Sequence, residues 1–322
     1  MDVPDQVLAE VLRRFGLDES VAHPVAHDGA PDGAVWRVQS GATVRYAKIR
    51  PPDGPAPGSV EARLRLAEHL AARAVRTTVP VRTVAGDLVA LVECDGSQYT
   101  ASVTEELVGR PVGAREALRP SFARRWGRTL AAVHDAAQDA DESGLPSWRE
   151  EFEHFDGRCR DESLSRVWRE LGAALAQRAP AAPCFGVVHN DLHSGNLVVG
   201  PDRRLGVLDL DVACRHWLLL DVAIALVHPV WELRRTAPHT VRDFVEAWLG
   251  GYASVRPLPP GWYDDLDVFM RYRMALLTIA VLDEGPCPPW LVPIRQHVLA
   301  REAFVDEQVL RGIAVESETV SH

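Results

Sequence analysis

Three oxygen-bearing side chains stand close together in one stretch of the sequence. Asp191 and Asn196 lie five residues apart, and Asp209 follows eighteen residues after Asp191, at the end of an apolar run. A carboxylate such as that of Asp191 can accept the hydrogen bond of an attacking hydroxyl and take its proton. The oxygens of Asn196 and Asp209 are hard ligands of the kind that Mg²⁺ prefers. This grouping suits phosphoryl transfer, in which a protein mainly positions groups and neutralises charge.

One ammonium group complements these oxygens. Lys48 is the single lysine among 35 basic side chains, and it stands in an apparent strand over residues 44–49. A compact cation suits the non-transferred phosphates of a nucleotide, where Arg and Lys are not interchangeable. Codon bias that spares one lysine explains the same observation, so Lys48 gains meaning only together with the other residues.

The segments around the two aspartates predict how they are placed. Apolar runs at 197–199 and 205–208 flank the turn Gly200-Pro201-Asp202, which is typical of a hairpin. A hairpin brings its two ends together. We therefore expect Asn196 and Asp209 to face one cavity, with Asp191 nearby.

The motif that carries these residues has a known counterpart. The run His189-Asn-Asp191-Leu-His-Ser-Gly-Asn196 has the spacing of a kinase catalytic loop. Together with Val207-Leu208-Asp209-Leu210-Asp211 it resembles the aminoglycoside phosphotransferase and choline kinase-like family, and its homoserine-kinase-like members in particular. The resemblance implies an α+β, bilobal protein-kinase-like fold. It divides the chain into a small β-rich, nucleotide-binding N-lobe (1–105) and a larger helical C-lobe (106–322) with the catalytic loop, metal site and acceptor pocket.

The resemblance also implies ATP and Mg²⁺ as cofactors and gives the residues their roles. Asp191 is the catalytic base, Asn196 and Asp209 hold the metal, and Lys48 contacts phosphates. The remaining nucleotide contacts fall on a glycine-bearing loop, which by itself is a plain turn, and on the backbone of a hinge over 104–109. These contacts are Gly29, Gly33, Glu105 and Leu107.

Several roles stay open on the sequence alone. Glu61 or Glu68, on a helix that Ser59 caps, is expected to pair with Lys48, and Glu61 is preferred because the helix dipole favours a carboxylate in the first turn. Asp211 either assists the metal or orients its loop. Asp221 either braces the catalytic loop or caps a helix. The acidic side chains that either meet a cationic acceptor or form a solvated helix face are Glu150, Glu151 and Glu153.

Composition narrows the class of protein. The chain of 322 residues has a net charge of −10, which disfavours nucleic-acid binding and is compatible with a cationic acceptor. Its five cysteines form no C-x-x-C pair, as expected for reduced thiols. The longest apolar stretch, 217–231, is interrupted by Asp221, His228 and Pro229 and cannot span a bilayer. We expect a cytoplasmic enzyme without a nucleic-acid or membrane partner.

The sequence therefore predicts an ATP- and Mg²⁺-dependent O-phosphotransferase that acts on a hydroxyl of an antibiotic, an amino alcohol or a similar metabolite. A Ser/Thr side chain of a peptide is the alternative acceptor. A metal-dependent hydrolase that uses His189, Asp191 and His193 is an alternative from another class, but it leaves Lys48 and the interval to Asp209 unexplained. The third possibility is a catalytically inactive kinase-like binding module. The joint presence of four residues argues against it: Lys48, Asp191, Asn196 and Asp209.

Overall fold

The computed structural model describes residues 3–25, 33–259 and 261–320, with side chains described as far as Ala314. The chain forms two compact units. The first contains the residues up to Arg110, Asp139–Leu145 and Val198–Asp211; the second contains Pro111–Gln138, Pro146–Leu197 and the chain from Val212 onward. The predicted boundary at residue 105 and the roles assigned to the two parts stay predictions.

The first unit is built on an antiparallel six-stranded sheet. Its strands are β1 (Val21–Val25), β2 (Ala34–Ser40), β3 (Thr43–Arg50), β4 (Pro80–Val81), β5 (Ala90–Cys94) and β6 (Ser97–Glu105). They are ordered β1-β2-β3-β6-β4, and β5 pairs with β6. Two helices accompany the sheet, α1 (Asp5–Arg14) and α2 (Pro57–Ala72).

The core of the first unit explains the orientation of β3. Val7 and Val11 of α1 are fully buried in one cluster with Ala47 and Ile49 of β3. Side chains alternate between the two faces of a strand. Lys48 therefore lies on the face of β3 opposite Ala47 and Ile49, as does Arg50.

The start of α2 differs from the sequence-based expectation. The helix begins at Pro57, with Ala56 at the cap position and no side-chain cap, whereas Ser59 was the predicted cap. Proline at the first helical position has its φ fixed near the helical value and lacks an N–H that would need a partner. It can therefore start the helix three residues earlier and place Ser59 within the first turn.

A predicted hairpin is present in the first unit. Strands β9 (Leu197–Val199) and β10 (Leu205–Val207) pair with each other, and β9 also pairs with the short strand β7 (Arg110–Pro111). Gly206 of β10 packs closely, since a Cβ there would lie 2.8 Å from Cδ2 of Leu107. The hairpin thus passes directly against the segment that follows β6.

The second unit is mainly helical. Its helices are α3 (Ala114–Ala117), α4 (Pro120–Ala136), α5 (Trp148–Arg158), α6 (Glu162–Ala176), α7 (Leu218–Thr236), α8 (Val241–Ala253), α9 (Trp262–Glu284), α10 (Val292–Ala300) and α11 (Glu307–Val320). Strands β8 (Phe185–Val188) and β11 (Cys214–Trp217) pair in antiparallel fashion. Helices α4 and α8 approach through Gly127, where a Cβ would lie 2.1 Å from the Trp248 carbonyl oxygen.

Two of these helices end at local breaks in the chain. Helix α7 ends at Thr236, before Ala237-Pro238. A residue that precedes proline disfavours the helical region, and Ala237 accordingly has φ −153° and ψ 63°. Helix α10 ends at Ala300, and the backbone of Arg301 after it is left-handed. No helix in the described ranges is both long and apolar enough to cross a membrane.

Candidate active site

The catalytic-loop motif begins directly after β8 and is held by a buried carboxylate. Asp221, which is fully buried in the first turn of α7, accepts the backbone N–H groups of His189 and Asn190, each at 2.7 Å. His134 Nε2 lies 3.1 Å from the same carboxylate. Burial raises the pKa of Asp221, but the hydrogen bonds and charges of His134 and His189 together outweigh this, so the net shift is downward. Asp221 therefore braces the loop, while Trp217 occupies the cap position of α7.

Asp191 lies at the centre of a polar group within the second unit. The amide nitrogen of Asn196 donates to the Asp191 carbonyl oxygen at 2.9 Å and to Oδ2 at 3.0 Å. Arg273 of α9 donates to Oδ1 of the same carboxylate. The amide oxygen of Asn196 has no hydrogen-bond partner in the described part of the chain, so it remains available to an oxygen-seeking cation.

Asn190 and Glu151 connect this loop to helix α5. Asn190 has a left-handed backbone, with φ 66°, and its side chain donates to Glu151 Oε2 and, at 3.2 Å, to the Val212 carbonyl oxygen. Tyr272 donates its hydroxyl to Glu151 Oε1 at 3.0 Å. Burial raises the pKa of Glu151 despite these two hydrogen bonds.

The acidic run on α5 therefore divides into different roles. Glu151 is a half-buried support of the catalytic loop, which neither reading of the sequence anticipated. Glu150 instead forms a capping box with Ser147, whose N–H donates to Glu150 Oε2 at 2.7 Å. Glu153 is exposed.

In the first unit, Lys48 is paired with a carboxylate that the sequence left without a fixed role. Lys48 Nζ donates to Asp211 Oδ2, and Arg50 Nη2 donates to both oxygens of Asp211, at 2.8 and 3.0 Å. Burial raises the pKa of Asp211, but the charges of Arg50 and Lys48 outweigh burial and lower the pKa to about 2.

Lys48 was expected to pair with a glutamate of α2, but both candidate glutamates pair with arginines instead. Glu61 pairs with Arg65, one helical turn further on, at 3.1 Å. Glu68 pairs with Arg82 at 2.7 Å. Since an arginine stands at i+4 from Glu61 on the same helix face, a local pair is available without any contact to the sheet.

Of the two glycines predicted for the nucleotide loop, only Gly33 belongs to the described residues. Gly29 lies outside the described residues. Gly33, just before β2, is buried against β3: a Cβ on it would lie 3.0 Å from the Ile49 carbonyl oxygen and 3.2 Å from Cε of Lys48. The absence of a side chain at Gly33 thus makes room for the Lys48 side chain.

Asp209 follows β10 in the first unit. It is exposed and has a left-handed backbone, with φ 60°, and its Oδ1 accepts the N–H of Asp211 at 3.4 Å. Such a backbone is uncommon for a residue other than glycine, and strained positions of this kind concentrate at functional sites. Asp209 and Asp211 are therefore positioned together, within the same unit as Lys48 and Gly33.

The hinge residues lie at the end of β6. The N–H of Glu105 donates to the Val79 carbonyl oxygen at 2.8 Å, and that of Glu106 to the Val44 carbonyl oxygen at 3.2 Å. The N–H of Leu107 has no backbone partner among the described residues. An unpaired backbone donor just after a strand can bind an edge of a planar base.

The histidines of the loop are not arranged as metal ligands. His189 Nδ1 accepts the Asp191 N–H at 3.3 Å, and His193 Nδ1 accepts the Gly195 N–H at 3.0 Å. Within the ranges that the structure describes, no three His, Cys, Asp or Glu side chains form a group that could hold a metal ion. The hydrolase alternative therefore lacks its ligand group there.

Sequence reasoning missed Arg273 and Arg50. Each is one arginine in a chain that uses arginine for almost all its basic charge, and neither belongs to a motif. Arg273 was also hidden by its position in α9, far from the loop in sequence. The alternation of β3, which puts Arg50 on the same face as Lys48, was the one signal that pointed to Arg50.

The fold and the catalytic loop define a phosphotransferase with a protein-kinase-like architecture. Residues 24–258 match the model of a family described as "Phosphotransferase enzyme family". The chain belongs to this family. The predicted family and the α+β, protein-kinase-like fold class are confirmed.

Two curated relatives are homoserine kinases. The chain is 29% identical over 212 residues to that of Xanthobacter autotrophicus, an alignment that covers 60% of this chain and 59% of the relative. It is 26% identical over 280 residues to that of Methylobacterium sp. strain 4-46, with coverage of 84% and 83%.

Solved structures show the same fold at low identity. An amicoumacin kinase, hAmiN, in complex with AMP-PNP, Ca²⁺ and Ami, has a TM-score of 0.83 at 16% identity, with 96% of this chain and 97% of that chain covered. A microcompartment-associated aminopropanol kinase has a TM-score of 0.71 at 18% identity, with coverage of 99% and 98%.

Proposed function

We propose that this protein transfers the γ-phosphate of ATP to a hydroxyl of a small molecule. The observation that carries the proposal is the environment of Asp191. Its carboxylate is held by Asn196 and Arg273 in a loop that Asp221 braces. Asp191 would accept the hydrogen bond of the acceptor hydroxyl and take its proton as the phosphoryl group is transferred.

The nucleotide would be bound by residues of the first unit. Lys48 supplies a cation for the phosphates, and Gly33 lies directly beside its side chain. The backbone at Glu105 and Leu107 would bind adenine, where the Leu107 N–H lacks a backbone partner among the described residues. Gly29 is proposed for the phosphate loop from the sequence alone.

The donor set suits Mg²⁺. The amide oxygen of Asn196 and the exposed carboxylate of Asp209 are hard oxygen ligands, and they would hold the ion. Mg²⁺ bound there would neutralise charge on the phosphates.

The acceptor is proposed to be a small molecule that carries an amine as well as a hydroxyl. Relatives and structural neighbours include kinases of homoserine and aminopropanol, and the net charge of −10 is compatible with a cationic acceptor. The alternative acceptor, a Ser/Thr peptide, is tested in the same experiment.

A coupled ADP-release screen tests the proposal. The panel contains aminoglycosides, amino alcohols including homoserine and aminopropanol, nucleoside antibiotics and Ser/Thr peptides, each assayed with ATP and Mg²⁺. Asp191→Asn, which preserves the size of the side chain, is the control that measures ADP release without the proposed base. Since a general base contributes about 10²- to 10⁴-fold, the variant is expected to lose turnover while its ATP affinity is kept.

A phosphorylated small molecule in the wild-type reaction, identified by mass spectrometry and absent with EDTA, supports the proposal. If a peptide is the only phosphorylated product, the acceptor is a Ser/Thr side chain of a peptide rather than a small molecule. Acceptor-dependent ADP release at the same rate in wild type and Asp191→Asn would refute the role of Asp191.

A further inference from the structure

The carboxylate that contacts Lys48 comes from the segment after β10. Asp211 receives Lys48 Nζ on Oδ2 and the guanidinium of Arg50 on both oxygens. The side chains of Lys48 and Asp211 are 19% and 24% exposed, and that of Arg50 is 3% exposed. The group is thus largely shielded from water, where an ion pair holds its geometry more firmly than at the surface.

Arg50 is itself fixed to the sheet. Its Nη1 donates to the Ser102 hydroxyl on β6 at 3.0 Å, and both side chains are buried. Because Lys48 and Arg50 are two residues apart on β3, they lie on the same face and can reach one carboxylate. The planar guanidinium of Arg50 binds that carboxylate through a fork of N–H groups, which orients it.

The group carries one negative and two positive charges. Lys48 is the more exposed of the two cations, so it is the one that a polyphosphate can reach. The α2 glutamates have partners on other residues, Arg65 and Arg82.

We propose that Asp211, held by Arg50 and Ser102, is the residue that positions Lys48 toward nucleotide phosphates, in place of a glutamate of α2. This inference rests on the proposed ATP-dependent function. Asp211 also donates its backbone N–H to Asp209, so one short segment both contacts the phosphate-binding lysine and carries the proposed metal ligand Asp209. The side chain of Asp211 is thus a positioning residue for Lys48.

The single lysine of the chain gives a readout that needs no nucleotide. In Asp211→Asn, acetylation of Lys48 by acetic anhydride, followed by peptide mass spectrometry, is expected to be several-fold faster than in wild type. Glu61→Gln is the matched control, and its acetylation rate is expected to equal that of wild type. Urea unfolding midpoints show whether each variant is folded under the labelling conditions.

Nucleotide affinity provides the second readout. A misplaced lysine is expected to weaken MgATP binding to Asp211→Asn by about 10- to 100-fold, with Glu61→Gln within about twofold of wild type. Asp211→Glu keeps the charge and is expected to fall between. If Asp211→Asn does not fold, Ser102→Ala, which releases Arg50, is expected to change both readouts in the same direction by less.

Each outcome separates the inference from the proposed function. Faster acetylation in Asp211→Asn without any ATP binding in wild type would support the pairing and reject the nucleotide role. The opposite outcome is that wild type turns over ATP, while the acetylation rate and the MgATP affinity change in Glu61→Gln but not in Asp211→Asn. That outcome would overturn the inference and leave the proposed function standing.

Discussion

Arg273 and Asp191, 82 residues apart in the sequence, form an ion pair on the catalytic loop. The second arm of the guanidinium, Nη1, lies 3.4 Å from the Asn190 carbonyl oxygen. Arg273 is therefore in contact with both the side chain of the proposed base and the backbone of the residue before it. A carboxylate held in this way has fewer orientations than one held by Asn196 alone.

Replacing Arg273 is expected to lower catalysis without lowering nucleotide affinity. In Arg273→Gln the Asp191 carboxylate keeps its hydrogen bond from Asn196 but loses the guanidinium of Arg273. We expect kcat to fall by about 10- to 100-fold. The Kd for MgATP should stay unchanged, which a calorimetric titration can show. Arg273→Lys, which keeps the charge without the planar fork, should retain part of the activity.

The control for this experiment lies two residues earlier on α9. Arg271 pairs with Asp267 on the same helix at 2.8 Å, so Arg271→Gln removes an arginine without touching the loop. Equal losses of kcat in the two glutamine variants would assign the effect to α9 as a whole rather than to the contact with Asp191.

Asp221 is expected to be a major contributor to stability. Its carboxylate accepts two backbone N–H groups and contacts His134, all buried. Asp221→Ala leaves these donors unpaired, and we expect the free energy of unfolding to fall by about 3–5 kcal/mol. Urea denaturation followed by tryptophan fluorescence measures this loss.

Tyr252→Phe tests the outer end of the same network. The tyrosine hydroxyl lies 2.8 Å from His134 Nδ1. Its removal should cost only about 1–2 kcal/mol, because one imidazole nitrogen is left unpaired rather than two backbone N–H groups and a histidine. A stability of Asp221→Ala equal to that of Tyr252→Phe would show that the carboxylate does not brace the loop.

His216 should contribute to the pH dependence of stability. It is fully buried, and burial lowers its pKa to about 3 from an ordinary value near 6.5. Between these values the unfolded chain binds a proton that the folded protein does not. The free energy of unfolding therefore falls as the pH decreases through this window, by an amount on the order of 4 kcal/mol at its acid end.

His216→Phe removes this titration from a site already lined by aromatic rings. At pH 8 the variant should be less stable by about 1–3 kcal/mol, because the Trp217 N–H loses Nδ1 as its acceptor. Denaturation curves from pH 8 to 4 should show that this difference shrinks as the pH falls. The control is His23→Asn, because His23 is an exposed histidine of strand β1. Parallel curves for His216→Phe and wild type would contradict the prediction.

Local sequence determined a large part of this structure. The hairpin β9–β10, the strand of Lys48 and the loop from His189 to Asn196 all follow from turn residues, alternation and motif spacing, which act over a few residues. The contact between Asn196 and Asp191 belongs to the same class, since the two are five residues apart. Their positions could therefore be predicted without knowledge of the rest of the chain.

Tertiary structure decided which charges meet. Lys48 pairs with the carboxylate of Asp211 rather than with that of Glu61, and Asp191 pairs with Arg273. These contacts depend on how distant elements pack within each unit. A chain with 45 acidic and 35 basic side chains offers many possible ion pairs, and motif spacing cannot choose among them. Burial makes the choice, because it removes water as a partner and leaves each charge only the groups that packing brings near it.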